Sequence, residues 1–300
     1  MRKSTTLLIL VFFIGAYSSP CRAQGPGSET QSLQTNAGTV TNKCNTEPQK
    51  GTFFITPFYR YCRFENLELI SLSAKMTLPE KTVLSDFTDE EINEYNDNFG
   101  TAYNYSMTGL RIGYQLADGL GVSAYSGINH FNFENWISEE NKQSMSTEYP
   151  SFTAGVGVDY IMKVKNSLYV MALASYNYTT SRSVTVNSEL TEESVESQIK
   201  SSYYEANLSL AYRLRRFTPY AGGGYTLQLV NPVNTEQYIT NDPEGNPYTE
   251  VVEYDSHFRG DAIYGFAGLD YSLSQKMSVY ARGAFINLYR LSFGIKLTLN

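Results

Sequence analysis

The sequence predicts an all-β fold, a closed antiparallel transmembrane β-barrel of about 10 strands, with 8 to 12 allowed. Three observations carry that reading. Segment after segment alternates apolar and polar residues with period two, which sorts side chains onto the two faces of a strand. The connections between these segments are short and long in turn. The longest apolar runs, residues 7–16 and 169–174, fall well short of the roughly 20 residues a spanning helix needs.

Residues 1–23 combine Arg2 and Lys3, an apolar run and small residues before Ala23, the parts of a secretory signal peptide cleaved after Ala23. Pro20 before Cys21 argues against a lipid-modified start. Residues 24–50, rich in Gly, Ser, Thr, Asn and Gln, read as a flexible periplasmic lead-in that cannot bury a core. Residues 51–300 then form one domain. Cys44 and Cys62 are an even pair in an exported chain, which permits a disulfide and equally permits two free thiols.

The first strand lies in 51–64, where Phe53, Ile55, Tyr59 and Tyr61 oppose Thr56, Arg60 and Cys62. Leu110 to Leu116 and Leu120 to Ile128 supply the second and third. Residues 152–160, 168–176, 204–214, 217–230, 261–273 and 277–285 follow the same rule. The last segment, YRLSFGIKLTLN at 289–300, alternates strictly over twelve residues, about twice the usual strand length. In a barrel that final strand closes the sheet against the first.

Tight turns at 117–119, 163–166, 215–216 and 274–276 alternate with long polar stretches at 65–100, 133–149, 180–200 and 230–259. Short turns at one end, long loops at the other and an even strand number are the layout of a membrane barrel. Lipid offers backbone groups no hydrogen-bond partner, so a sheet in a membrane must close on itself. Twelve residues at ~3.3 Å, tilted ~40°, cover roughly 30 Å of bilayer. A secreted soluble β-barrel or sandwich shows the same alternation with its apolar face inward, but needs neither such long strands nor such sorted loops. Tyr103, Tyr105, Tyr176, Tyr178, Tyr203 and Tyr204, near strand ends, are expected in an interfacial aromatic girdle. Residues 70–78, ISLSAKMTL, alternate inside the first long loop and read as an extension outside the ring, because an eleventh crossing would have no partner. In TDEEINEYNDNF (88–99), Thr88 followed three residues later by Glu91 predicts a capped helix over the barrel mouth.

Without residues 1–23 the chain carries 20 basic and 30 acidic side chains. The four long loops hold 23 of those acids against six basic residues, whereas the turns carry Lys163, Lys165, Arg215, Arg216 and Lys276. An acidic face repels nucleic acid and suits a surface that meets divalent cations and lipopolysaccharide. Acidity for solubility alone is the simpler account of the loops.

The inward face of the predicted strands carries Arg60, Arg111, Asp159, Glu205, Arg213, Asp270, Arg282, Arg290 and Lys296. Buried charges must pair or meet water. The interior is therefore either a salt-bridged plug or a thin water-filled path whose excess of basic groups favours anions. Narrow barrels are mostly filled by side chains, which favours the constricted form.

Catalysis is not expected. A serine nucleophile needs a histidine base oriented by a third group, and the only histidines are His130 and His257. Asp255, Ser256 and His257 are adjacent in sequence, which is weak evidence for a spatial triad. No metal or cofactor is implied: in NDPEGNPYTE (241–250) Gly245 is the fourth residue counted from Asp242, where a calcium loop needs glycine at the sixth position.

The segments FTPYAGGGYTLQL, YGFAGLDYSLSQKMSVYARGAF and the terminal strand resemble the small outer-membrane β-barrel proteins of Gram-negative bacteria, the OmpA-type and OmpX-type barrels, and the resemblance covers 51–300. It implies a bacterial outer-membrane location, periplasmic turns, extracellular loops, and contact with outer-membrane lipid, lipopolysaccharide and the barrel-insertion machinery. The resemblance specifies the fold and says little about activity; the function expected from the residues is that of a non-catalytic surface or structural protein, or a narrow passage for a small solute. The alternatives are a lipid-modifying barrel enzyme using His257, or an adhesin whose acidic loops meet a host surface ligand.

Overall fold

The structure, a computed structural model, describes residues 50–79, 81–136, 142–147, 150–188, 196–241, 245, 247–285 and 288–299. Ten strands pair in a closed antiparallel ring: β1 (Phe53–Glu65), β4 (Thr101–Ala117), β5 (Leu120–Trp136), β7 (Ser151–Lys165), β8 (Leu168–Ser188), β9 (Glu196–Tyr212), β10 (Phe217–Asn241), β11 (Pro247–Ser272), β12 (Met277–Phe285) and β13 (Tyr289–Leu299). The ring shuts where β1 meets β13, from Phe53↔Leu299 to Arg63↔Tyr289. Closure leaves no strand edge in the belt, as a bilayer requires.

Three shorter strands lie outside the ring. β6 (Lys142–Thr147) bridges β5 and β8 at the long-loop end and continues the line of β7. β2 (Glu68–Thr77) and β3 (Thr82–Asp86) form a hairpin. The stretch expected to extend the first loop is thus a strand with a definite partner. β12 reaches only as far up as Phe285↔Gly265, so β11 loses its neighbour above that level. β2 takes the vacated edge, from Arg259↔Glu68 to Val251↔Thr77. The first loop covers an edge that the short hairpin β12–β13 cannot.

The long polar stretches are therefore mostly ladder. β10 and β11 run 25 and 26 residues and stay paired to Asn241↔Pro247. Above the belt the outer face meets water, so the apolar and polar contrast that marks a spanning strand fades, while Tyr, Thr and Val keep the backbone extended. The connection between β12 and β13 is a further difference, short where the long-loop end otherwise carries long excursions.

Alternation fixes what faces out. Ile112, Ile128, Phe152, Val156, Leu208, Leu210, Ile263 and Leu291 are exposed on the outer wall and form an apolar belt. Tyr178 and Tyr204 also face out. Tyr103, Tyr105 and Tyr203 do not: they are buried inside the barrel at 0%, 6% and 3% exposure, which corrects their placement in the girdle. The physical reason is parity, since neighbouring residues such as Tyr203 and Tyr204 point to opposite faces.

Inside, aromatic rings lie over glycines on the neighbouring strand. Phe54 covers its partner Gly113, Tyr125 covers Gly155, Tyr220 covers Gly268 and Tyr280 covers Gly294, and a Cβ at any of these glycines would strike the ring. The rings lie flat against the wall and narrow the lumen. Towards the long-loop end the interior is apolar and dry, with Phe64, Leu67, Leu69, Tyr103, Met107, Phe131, Phe133, Val230, Phe258 and Leu288 buried together.

Helix α1 (Asp89–Asn98) closes that end. Thr88 accepts from the Glu91 amide, and the Glu91 side chain accepts from the Thr88 amide at 2.8 Å, a reciprocal cap. Ile92 enters the apolar cluster, and the Asn96 side chain bonds both the N–H and the C=O of Leu69 at 2.8 and 2.9 Å. The amide thus holds the helix to β2 as a neighbouring strand would.

Candidate functional site: the charged interior

Eight of the nine charged residues singled out above lie in strands on the inward face and Arg213 directly follows β9, but they do not form one cluster. Arg111 and Asp159 pair at 2.7 Å in the half nearer the short turns, with side chains 28% and 19% exposed. Lys296 stands 4.5 Å from the centre of the Phe54 ring, and Arg111 stands 5.4 Å from the same ring. Arg213 donates to the Tyr169 hydroxyl at 3.4 Å. Asp270 faces in from β11 beside its ladder partners Thr218 and Tyr280, with no ion pair within 4 Å among the described residues.

The dense part is at mid-height. Glu205 projects inward from β9, and its side chain is 1% exposed. Arg290 reaches it from β13, with Nη1 donating to Oε2 and Nη2 to Oε1, both at 2.8 Å. This fork-on-fork geometry suits a guanidinium and a carboxylate and is stronger than a single charged bond. Arg282 from β12 donates to Oε1 at 3.3 Å while stacking 3.7 Å over the Phe266 ring. Asn207 donates at 2.8 Å and Tyr203 at 3.3 Å, and the Tyr264 hydroxyl completes the shell.

One carboxylate therefore gathers donors from β9, β11, β12 and β13, tying together walls on different sides of the lumen. Tyr264 and Asn207 are not among the residues the sequence marks for this site, and Tyr203 is expected in the girdle instead. The signal for them was parity, because each shares the inward register of Glu205 or Asp270.

Arg60 also faces in at this height, its guanidinium 5.8 Å from the Phe58 ring, but no carboxylate pairs with it among the described residues. Three arginines thus surround one glutamate. Cys62, the next inward residue on β1, is buried at 0% exposure and has no disulfide partner among the described residues. Its candidate partner Cys44 lies outside the described residues, as do the signal and lead-in at 1–49.

On the outer wall His257 Nε2 lies 3.5 Å from Asp255 Oδ1, with both side chains close to half exposed. Ser256, between them, points to the other face of β11. His130 is exposed on β5, opposite Ser106 in the ladder. The two histidines sit on separate strands, each away from the charged interior.

The sequence matches no protein-family model, and no curated protein matches it. Similar solved structures include the outer membrane protein OprG from Pseudomonas aeruginosa, 13% identical, with 85% of this chain and 99% of that chain covered and a TM-score of 0.37. The outer membrane protease OmpT from Escherichia coli is 11% identical over 85% of this chain and 100% of that chain, with a TM-score of 0.39. Ail, the attachment invasion locus protein of Yersinia pestis, is 10% identical over 84% and 100%, with a TM-score of 0.31. The fold assignment rests on the closed ladder of the chain itself: it is an antiparallel β-barrel with an apolar outer belt.

Proposed function

We propose that the chain is a non-catalytic surface barrel of the Gram-negative outer membrane, closed to solutes and acting through the part that stands above the lipid. The observation that carries this reading is the filled interior. The Glu205 shell occupies mid-height, and the dry apolar cluster capped by α1 seals the long-loop end. Among outer-membrane barrels the reading resembles the small filled OmpA and OmpX type, here with ten strands rather than about eight. Export through a signal at 1–23, insertion by the barrel machinery, and lipopolysaccharide contact through cations on the acidic rim belong to the same proposal.

The test is single-channel recording of the purified protein in a planar bilayer against lipid-only controls. Stable insertion without conductance is expected. Discrete ion-selective steps would refute the closed barrel and favour a narrow solute path.

A second reading, adhesion, is favoured by one observation. All five residues of β3 are exposed, and Ile70, Val83, Leu84 and Phe87 show apolar surface above the belt, with Leu84 at 74%. Leu84→Asp combined with Phe87→Asp would abolish attachment to a host surface if this patch makes it. Catalysis through His257 has the exposed Asp255 contact alone in its favour, and lipid hydrolysis lost on His257→Ala would overturn the non-catalytic reading.

A further inference from the structure

Above the Glu205 shell and below the apolar cap lies an internal cavity of about 10 Å³, roughly the space of one water-sized particle. Its lining is polar to an extent that neither a dry core nor the plug explains. Asn177, 4% exposed, has neither its amide nitrogen nor its oxygen bonded. Asn129, 2% exposed, donates its amide to Thr153 and Thr179 at 3.4 and 3.5 Å and leaves its oxygen unbonded. The Gln228 Oε1 is likewise buried without a partner. Groups of this kind are nearly always satisfied in native proteins, so the cavity is a site with an occupant.

Charge identifies which occupant. Arg60 lines the cavity, and the nearest carboxylate, Glu205, is already forked by Arg290 and touched by Arg282. Three guanidinium groups against one carboxylate leave two uncompensated positive charges inside the barrel, an imbalance that a bound counter-charge relieves. The partners of Asn129 are both threonine hydroxyls, which can donate as well as accept. The two hydroxyls also bond each other at 2.7 Å and have one proton each, so turning the Asn129 nitrogen inward keeps two of the three bonds within this trio and gives up one long one.

We propose that this cavity binds one small monatomic anion of chloride size, held by the Arg60 guanidinium and by the side-chain amides of Asn177 and Asn129. The site neutralises the interior and is separate from the surface role. It stands or falls whether or not the barrel conducts.

The direct test replaces chloride by bromide during crystallisation of the full chain. One anomalous peak in the cavity, within hydrogen-bond reach of Arg60, is expected; density without anomalous signal there means water only and overturns the proposal. In detergent, the unfolding midpoint should rise with chloride and saturate, and should not rise with gluconate at equal ionic strength, an anion too large for the cavity. Arg60→Gln should remove the chloride dependence and keep or raise the midpoint in gluconate, because the unpaired charge is gone. An equal chloride dependence in both proteins overturns the proposal. Should that variant fail to fold, Asn177→Leu, which fills the cavity, must show the same loss of chloride dependence, and the bromide experiment on the unaltered chain needs no variant.

Discussion

Replacing Glu205 by glutamine keeps the shape of the side chain and removes the one negative charge at mid-height. The carboxylate accepts two bonds from Arg290 at 2.8 Å, one from Arg282 at 3.3 Å, and further bonds from Asn207, Tyr203 and Tyr264. An amide in its place turns a donor towards donors and leaves Arg290, 2% exposed, with an uncompensated charge. Removing one member of a buried pair costs about 3–5 kcal/mol. For a domain of this size each kcal/mol moves the midpoint by roughly 2–4 °C, so Glu205→Gln should lower it by about 6–20 °C. Thermal unfolding of the two proteins in the same detergent, followed by circular dichroism, measures this. The paired change Glu205→Leu with Arg290→Met leaves the net charge of the layer as it was and should recover about half of the loss or more. The exposed pair Arg63–Glu65 is the control: at 41% and 50% exposure, Glu65→Gln should cost less than about 1 kcal/mol. A midpoint for Glu205→Gln within about 2 °C of the unaltered protein would refute the idea that this shell holds the walls together.

Leu208 is 58% exposed on the outer wall, and Leu208→Arg should cost about 2–4 kcal/mol in a bilayer, whereas Glu253→Arg, above the belt, should be neutral; equal effects in vesicle unfolding titrations would contradict the placement of the belt. Gly113→Val sets a branched side chain against the Phe54 ring and should destabilise by about 1–3 kcal/mol, read from the same denaturation curves, with Phe54→Ala relieving the clash in the double variant. The Thr88 bonds hold the Glu91 carboxyl below its ordinary range. A lowered folded-state value means the cap is fully formed above the unfolded value near 4.3 and is lost as pH falls through the lower, folded one. Amide exchange at Glu91 and Ile92 should accelerate only in that acid window, and Thr88→Ala should produce the same acceleration at neutral pH.

Period two is a property of the backbone alone, so the sequence by itself determined the strands, their parity and the inward or outward side of Arg60, Arg111, Glu205 or Leu208. The capped helix at 88–99 was equally local, since Thr88 and Glu91 act within one turn. Nearness to strand ends suggests the girdle for Tyr103, Tyr105 and Tyr203, but parity decides and puts them inside. Other features had no local signature. β2 alternates like a spanning strand, and it left the ring because β12 ends early and β11 needs an edge partner. Glu205 meets Arg290 across 85 residues of sequence, and that meeting depends on strand order, ring size and stagger together. Only the tertiary structure set those distances, and with them decided which inward charges pair and that Arg60 is left facing an internal cavity.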